Sequence, residues 1–179
     1  FVEVKINLPD LLHAELSRKR KTGAVLLSSV CDPYQPAEKK YSLTRQSLQL
    51  LRGFGWEIHI LTRSPLVRRD IDILKYSLNS RVGISVPTDD DRVRKILEPR
   101  APSIFSRLET LRVLRENGIR TGAFIAPVLP MDPERLHRLL AAHVDYVMID
   151  ALNYRGRVND LFQSHGWNYA LAADYGTQT

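Results

Sequence analysis

The sequence predicts an α/β domain whose parallel strands curl into a partial (β/α) barrel. Strand-like segments alternate with helix-like segments six times, with no hairpin signal between them. Strict βα alternation gives parallel strands joined by right-handed crossovers. The conspicuous polar residues sit at or just beyond the C-terminal ends of the strands: Asn7, Cys31 with Asp32, Thr62 with Arg63, Ser85, Pro127 with Pro130, and Asp150 with Asn153. In a barrel those ends form one mouth, whereas an open sheet spreads them along an edge. A doubly wound sheet would carry a Gly-rich phosphate loop after its first strand, and Asn7-Leu8-Pro9 offers none.

The elements follow in order. Phe1 to Asn7 alternates Val2, Val4 and Ile6 with polar residues, the pattern of a half-buried strand. Pro9 and Asp10 open a helix carrying Leu11, Leu12 and Leu16, which ends in a basic run before Gly23. Ala24 to Cys31 is mostly apolar and reads as a strand buried on both faces. Asp32-Pro33-Tyr34-Gln35-Pro36 is a loop, since two prolines remove donors and fix φ. Glu38 to Arg52 is a helix closed by Gly53. Strand 57–62 precedes a helix over 65–78, and strand 82–86 precedes a short helix over 89–97. Ser103 caps a further helix that Asn117-Gly118 stops. Strand 121–126, helix 133–143 and strand 146–149 complete the series. Residues 1–150 are thus the barrel core, and 151–179 form a polar, weakly patterned C-terminal extension.

Composition narrows the function. At 179 residues, 44% hydrophobic and 26% charged, the chain suits one domain with a full core and no disulfide staple. Cys31 is its one cysteine, which excludes a disulfide framework and any metal site built from several thiolates of this chain. No stretch approaches the ~20 apolar residues of a membrane span. The chain starts without Met and without a signal-peptide pattern, so the expectation is a fragment opening inside a strand, in a reducing cytoplasmic setting. A net charge of +6 favours anionic partners, nucleic acid among them. The same basic residues, strung along helices, equally describe a solvated surface.

Each motif has a chemical and an architectural reading. The stiff Asp32–Glu38 loop can hold a side chain in fixed geometry, or simply turn the chain into a capped helix. Ser29 and Cys31, two apart on one strand, share a face, with Cys31 nearer the mouth. A lone cysteine among apolar neighbours is as readily an inert core residue. Thr62-Arg63-Ser64-Pro65 offers a guanidinium and helix-start donors to a carboxylate or phosphate, or a surface arginine beside a capping serine. Glu98 and Arg107 are placed to pair across the rigid Glu98–Pro102 loop. Asp70 and Asp72, two apart on a helix, do not share a face and make a poor acid–base pair. No HExxH, GxSxG or Walker loop occurs, and the five histidines are scattered.

The run Val30-Cys31-Asp32-Pro33-Tyr34-Gln35-Pro36-Ala37-Glu38, ending downstream in Leu43-Thr44-Arg45, resembles the signature of the spore photoproduct lyase-like radical SAM proteins. The later motifs keep the family's order. Leu61-Thr62-Arg63-Ser64 with Arg69-Asp70-Ile71-Asp72-Ile73-Leu74 resembles its "TKS…RDxDLL" segment. Ser85-Val86-Pro87-Thr88, then Glu98-Pro99-Arg100-Ala101-Pro102 with Arg107-Leu108, resembles "SxxT…EPxAP…RL". Ala126-Pro127-Val128-Leu129-Pro130 resembles the "APxxP" strand end.

The resemblance implies a (β/α) barrel of the radical SAM type and a [4Fe–4S] cluster. The cluster reduces S-adenosylmethionine (SAM) to release a 5′-deoxyadenosyl radical. An electron donor such as flavodoxin or ferredoxin is implied with it. The family binds its cluster through a CxxxCxxC loop after the first barrel strand, which this chain lacks. The expectation is that this strand and loop lie upstream of Phe1, and that no metal ligand lies within the chain. The family's SAM-contacting lysine falls at Arg63, and its strand-end serine at Ser85, a ribose or amino-acid contact. Cys31 takes the place of a SAM-contacting serine, and the hydrogen-donor cysteine of the spore photoproduct lyase falls at Ser29. Cys31 is a candidate catalytic hydrogen donor only in a shifted register. Asn7 and Pro127 complete the candidate SAM-binding set. The substrate is left open, DNA or RNA being permitted by charge. The alternatives are a non-catalytic nucleic-acid-binding module on a degenerate barrel, and a clusterless barrel enzyme, for which no strand-end lysine or metal cluster is found.

Overall fold

The computed structural model describes residues 3–28, 31–150 and 159–167. Among them, five strands form one sheet in the order β1-β2-β3-β4-β5, all pairs parallel. They are β1 (Ala24–Leu27), β2 (Glu57–Thr62), β3 (Arg81–Ser85), β4 (Arg120–Ile125) and β5 (Tyr146–Ile149). Spatial order equals chain order, so the sheet has no switch point. It is wound in one direction, like the wall of a barrel and unlike a doubly wound sheet.

Helix α1 (Leu8–Arg18) precedes β1, while α2 (Glu38–Tyr41) and α3 (Leu43–Gly53) join β1 to β2. A 3₁₀ turn (Pro65–Asp70) and α4 (Ile71–Leu74) lead to β3. Helices α5 (Asp91–Leu97) and α6 (Ile104–Glu116) lead to β4, and α7 (Pro133–Leu140) leads to β5. Ser103 Oγ accepts from Ser106 N at 3.2 Å to start α6, and Gly118, at φ +75°, turns the chain after its end. Ile104, Arg107, Leu111 and Leu114 form its buried stripe. Leu48 and Leu51 of α3, Ile58 and Ile60 of β2, and Val82 and Ile84 of β3 close the core between helices and sheet. Each such buried side chain contributes about 1.5–3 kcal/mol.

Alternation along the strands defines the other face of the sheet. Leu26, His59, Arg81 and Arg120 lie in one row across β1–β4. The next row toward the mouth is Leu61, Gly83, Gly122 and Tyr146. Ser85, Phe124 and Met148 form the row beyond it. A Cβ on Gly122 would overlap the Tyr146 ring, and one on Gly83 would come within 3.8 Å of its hydroxyl. The paired glycines therefore make room for one aromatic ring, which fills the middle layer.

Several expectations are corrected. Described residues 3–7 form no strand: Ile6 is 69% exposed and its amide bonds back to Val4 O. Among the described residues no strand pairs with β1 on its free side, so the alternating residues have no ladder to join. β1 ends at Leu27 rather than Cys31 and is an edge strand, with Leu26 56% exposed. Ser28, at φ 102°, turns the chain out of the extended line. The helix expected over 38–52 breaks at Ser42, φ 51°, because the Glu38 carboxylate swings round to accept from Thr44 N (2.9 Å) and Arg45 N (3.2 Å) and starts α3 afresh. The helix expected over 65–78 is a 3₁₀ turn followed by one turn of α4, which sets Arg69 and Asp70 against Glu38, Tyr34 and Arg45. The C-terminal extension, read as polar and weakly patterned, holds helix α8 (Asn159–Ser164), whose Phe162 is buried.

Candidate functional site

The Asp32–Glu38 segment is tied down through its carboxylates. Asp32 accepts from Tyr34 N (2.8 Å), Thr62 Oγ1 (2.6 Å) and Arg63 N (2.9 Å). One carboxylate thus ties that loop to the end of β2. Beneath it, fully buried Asp70 accepts from Tyr34 Oη (3.1 Å), Arg45 (2.8 Å) and Arg69 (2.8 Å). Arg45 also grips Asp72 through two nitrogens, and Arg69 reaches Glu38 at 2.6 Å. Burial, with Asp70 alongside, pushes the Tyr34 phenol far above its usual range, so it stays protonated and donates. The Arg45 bonds hold Asp72 below the usual carboxylate range, although burial opposes them. Asp70 and Asp72, expected to point apart, therefore meet on one guanidinium. The Asp32–Glu38 and Arg69–Asp72 motifs are the scaffold of the mouth.

A second carboxylate ties the next two strand ends together. Glu98 Oε1 accepts from Arg63 Nη1 at 2.5 Å, and Glu98 Oε2 from Arg107 Nη2 at 2.6 Å. Arg107 has no exposed surface, and it also donates to the carbonyls of Ser85 (2.9 Å) and Pro102 (3.0 Å). The expected Glu98–Arg107 pair is present. The second bond, from Glu98 to Arg63, was not legible in the sequence. Burial depresses the Arg107 pKa while Glu98 raises it, and a guanidinium so paired remains charged. Glu98 and Arg107 therefore fix Arg63 at the end of β2 relative to Ser85 at the end of β3.

These strand ends enclose a cavity of about 210 Å³ lined by Cys31, Asp32, Arg63, Ser85, Phe124 and Ala126, with Ser28, Leu61 and Thr62. Three of the five candidate residues, Cys31, Arg63 and Ser85, are thus brought together. Cys31 is exposed, which corrects the core-residue reading. It lies beyond the strand rather than on it, and Ser29 is outside the described residues. Pro127 is not among the lining residues; it follows Ala126 through a cis peptide. Asn7 does not end a strand. It occupies the N-cap of α1, makes no side-chain cap bond there, and does not line the cavity.

A groove of about 800 Å³ adjoins this cavity, sharing Asp32 and Arg63 with it. Its walls are the two proline-rich loops, 32–36 and 98–102, and its basic residues are Lys39, Arg63, Arg68 and Arg100. Ser64 Oγ accepts from Leu66 N at 3.4 Å, so Arg63 stands beside a capped helical turn, as the architectural reading of that segment expects. Among the described residues no group of three His, Cys, Asp or Glu side chains could hold a metal ion. No helix among the described residues is long and apolar enough to cross a membrane.

The sequence matches the profile of the Radical SAM superfamily over residues 11–135. It is 40% identical over 130 residues to an uncharacterized protein of Methanocaldococcus jannaschii, covering 73% of this chain and 48% of that one. It is 31% identical over 130 residues to the Radical SAM Nalpha-GlyT isomerase of Pseudomonas phage M6, covering 73% of this chain and 27% of the phage protein. The fold is similar to a spore photoproduct lyase variant with bound AdoMet and dinucleoside spore photoproduct. That match has a TM-score of 0.58 and 16% identity, over 89% of this chain and 51% of that one. The chain spans about half the length of the first curated relatives it matches, 48%, 56% and 51%.

Proposed function

The chain belongs to the radical SAM superfamily, and from that premise we propose that it is the SAM-binding core of an enzyme of the spore photoproduct lyase-like group. The observation that carries this reading is the meeting of Arg63, Ser85 and Cys31 in one cavity at the strand ends. Arg63 presents a charge-assisted donor for a carboxylate, Ser85 a hydroxyl, and the adjoining groove has room for the larger part of the ligand. SAM in this superfamily supplies a carbon radical when a reduced [4Fe–4S] cluster cleaves it. The chain's own residues do not fit that cluster, since Cys31 is its one cysteine and such clusters are held by several cysteine thiolates. We therefore assign the cluster ligands to the part of the longer protein outside this chain, and the 179 residues alone should be colourless and unable to cleave SAM.

For the substrate we propose a nucleic acid, held in the groove by Lys39, Arg68 and Arg100. The net charge of +6 supports this, as does the dinucleoside photoproduct in the similar lyase structure. A reducing cytoplasm and a flavodoxin or ferredoxin donor follow from the same reading. Residues 1–150 would be its barrel core and 151–179 an extension.

The test uses the full-length protein. After anaerobic iron–sulfur reconstitution it should turn brown and, with dithionite and SAM, form 5′-deoxyadenosine. Intact SAM after reconstitution would defeat the enzyme reading and leave the nucleic-acid-binding module, read out by salt-dependent DNA or RNA binding. In the loaded protein, Arg63→Ala should weaken SAM binding by about 1.5–3 kcal/mol, the range for a hydrogen bond to a charged group. Calorimetric titration checks this, and an unchanged affinity removes Arg63 from the site.

A further inference from the structure

Arg81 opens β3 and Arg120 opens β4, and the register sets them side by side. His59 of β2 is their neighbour in the same row. An imidazole and two guanidiniums thus follow one another across three strands, about 4.8 Å apart at the backbone. Like charges so placed repel.

Among the described residues neither guanidinium has a carboxylate partner. Arg81 Nη2 lies 2.9 Å from His59 Nδ1, and Arg120 lies over the Tyr146 ring, 5.6 Å from its centroid. Burial and the nearby Arg81 hold the His59 pKa below its usual value, with Glu57 opposing, so the ring is neutral and accepts from Arg81 without cancelling its charge. These groups line a cavity of about 480 Å³ together with Lys75. The one lining carboxylate is Glu57, which accepts from Asn79 Nδ2 at 3.0 Å and lies 3.7 Å from His59. Three cations therefore face one carboxylate that is already engaged.

We propose that this cavity is a second binding site, for a phosphate group held between the Arg81 and Arg120 guanidiniums. A guanidinium presents paired N–H donors that match two phosphate oxygens, and Lys75 adds a point charge. A phosphate there offsets the repulsion between the two strand-end arginines. The site lies at the opposite end of the strands from Arg63 and Ser85, about 13 Å away along β3. It is independent of the radical reaction proposed for the mouth.

The experiment is calorimetric titration of the full-length protein with inorganic phosphate, against chloride at matched ionic strength. One saturable site is expected. Arg120→Gln, at an exposed strand start, and Arg81→Gln should each weaken it at least about tenfold, the effect of losing a charge-assisted bond. Arg63→Ala should leave it unchanged. Circular dichroism establishes that each variant is folded, and Arg120→Gln decides the matter alone if Arg81→Gln is not. A short 5′-phosphorylated oligodeoxynucleotide that displaces the inorganic ion identifies the natural source as nucleic acid, and one that does not identifies it as free phosphate. Absence of saturable phosphate heat overturns the proposal, as does heat that survives Arg120→Gln but disappears in Arg63→Ala.

Discussion

Arg107→Met is expected to destabilise the protein by about 3–5 kcal/mol, the loss that follows when one partner of a buried ion pair is removed. Arg107 is wholly buried and serves three acceptors: Glu98, the Ser85 carbonyl and the Pro102 carbonyl. Methionine fills similar volume and supplies no donor. Two carbonyls are then left bare, and Glu98 keeps only the partly exposed Arg63. The loss is a large share of the ~5–15 kcal/mol that holds a typical domain. Urea denaturation measures it, and a loss under about 1 kcal/mol would show that the network carries little. Arg107→Lys should recover only part of the loss, because an ammonium cannot reproduce the fork that meets Glu98 and Ser85 together. Glu98→Gln in the Arg107→Met background should cost less than it does alone, since the two changes break one shared bond. The mouth should feel the same change: with Arg107 gone, Arg63 and Ser85 lose their common anchor, and SAM affinity of the full-length protein should fall.

What the sequence made legible divides along physical lines. Strand 57–62 and strand 146–149 were read with their observed ends, because alternation and apolar runs are local signals. Arg63 and Ser85 were legible as mouth residues because a parallel strand's C-terminal end points one way whatever its neighbours are. The break at Ser42 was not legible. It depends on Glu38 reaching the amides of Thr44 and Arg45, a preference no periodicity encodes. Nor was the scaffold role of the Asp32–Glu38 and Arg69–Asp72 motifs, since Arg45 meets Asp70 and Asp72 across more than twenty residues of chain. The row of His59, Arg81 and Arg120 lay equally out of reach. Register between strands is set by the whole sheet, and a shift of one residue would send each side chain to the other face.

The same dependence on register makes Gly122 the position where the smallest change should matter most. A strand glycine is normally a weak point, about 0.5–1 kcal/mol worse than alanine through its lost backbone freedom. Here Gly122 pairs with Tyr146, and a methyl group would enter the ring itself. The half-buried ring must leave that place to admit the methyl. Gly83 lies by its hydroxyl, and Arg120 covers its face 5.6 Å from the centroid. Gly122→Ala should therefore destabilise by about 3 kcal/mol or more, at or beyond the upper end of ordinary overpacking. The sign should reverse in a second background. With Tyr146→Ala the obstruction is gone, only the backbone effect of glycine remains, and Gly122→Ala becomes neutral or stabilising by up to about 1 kcal/mol. A double-mutant cycle on denaturation midpoints measures the coupling directly. If Gly122→Ala costs the same with and without the tyrosine ring, then the ring does not occupy the space between the two glycines, and the layered inner face described for this sheet is wrong.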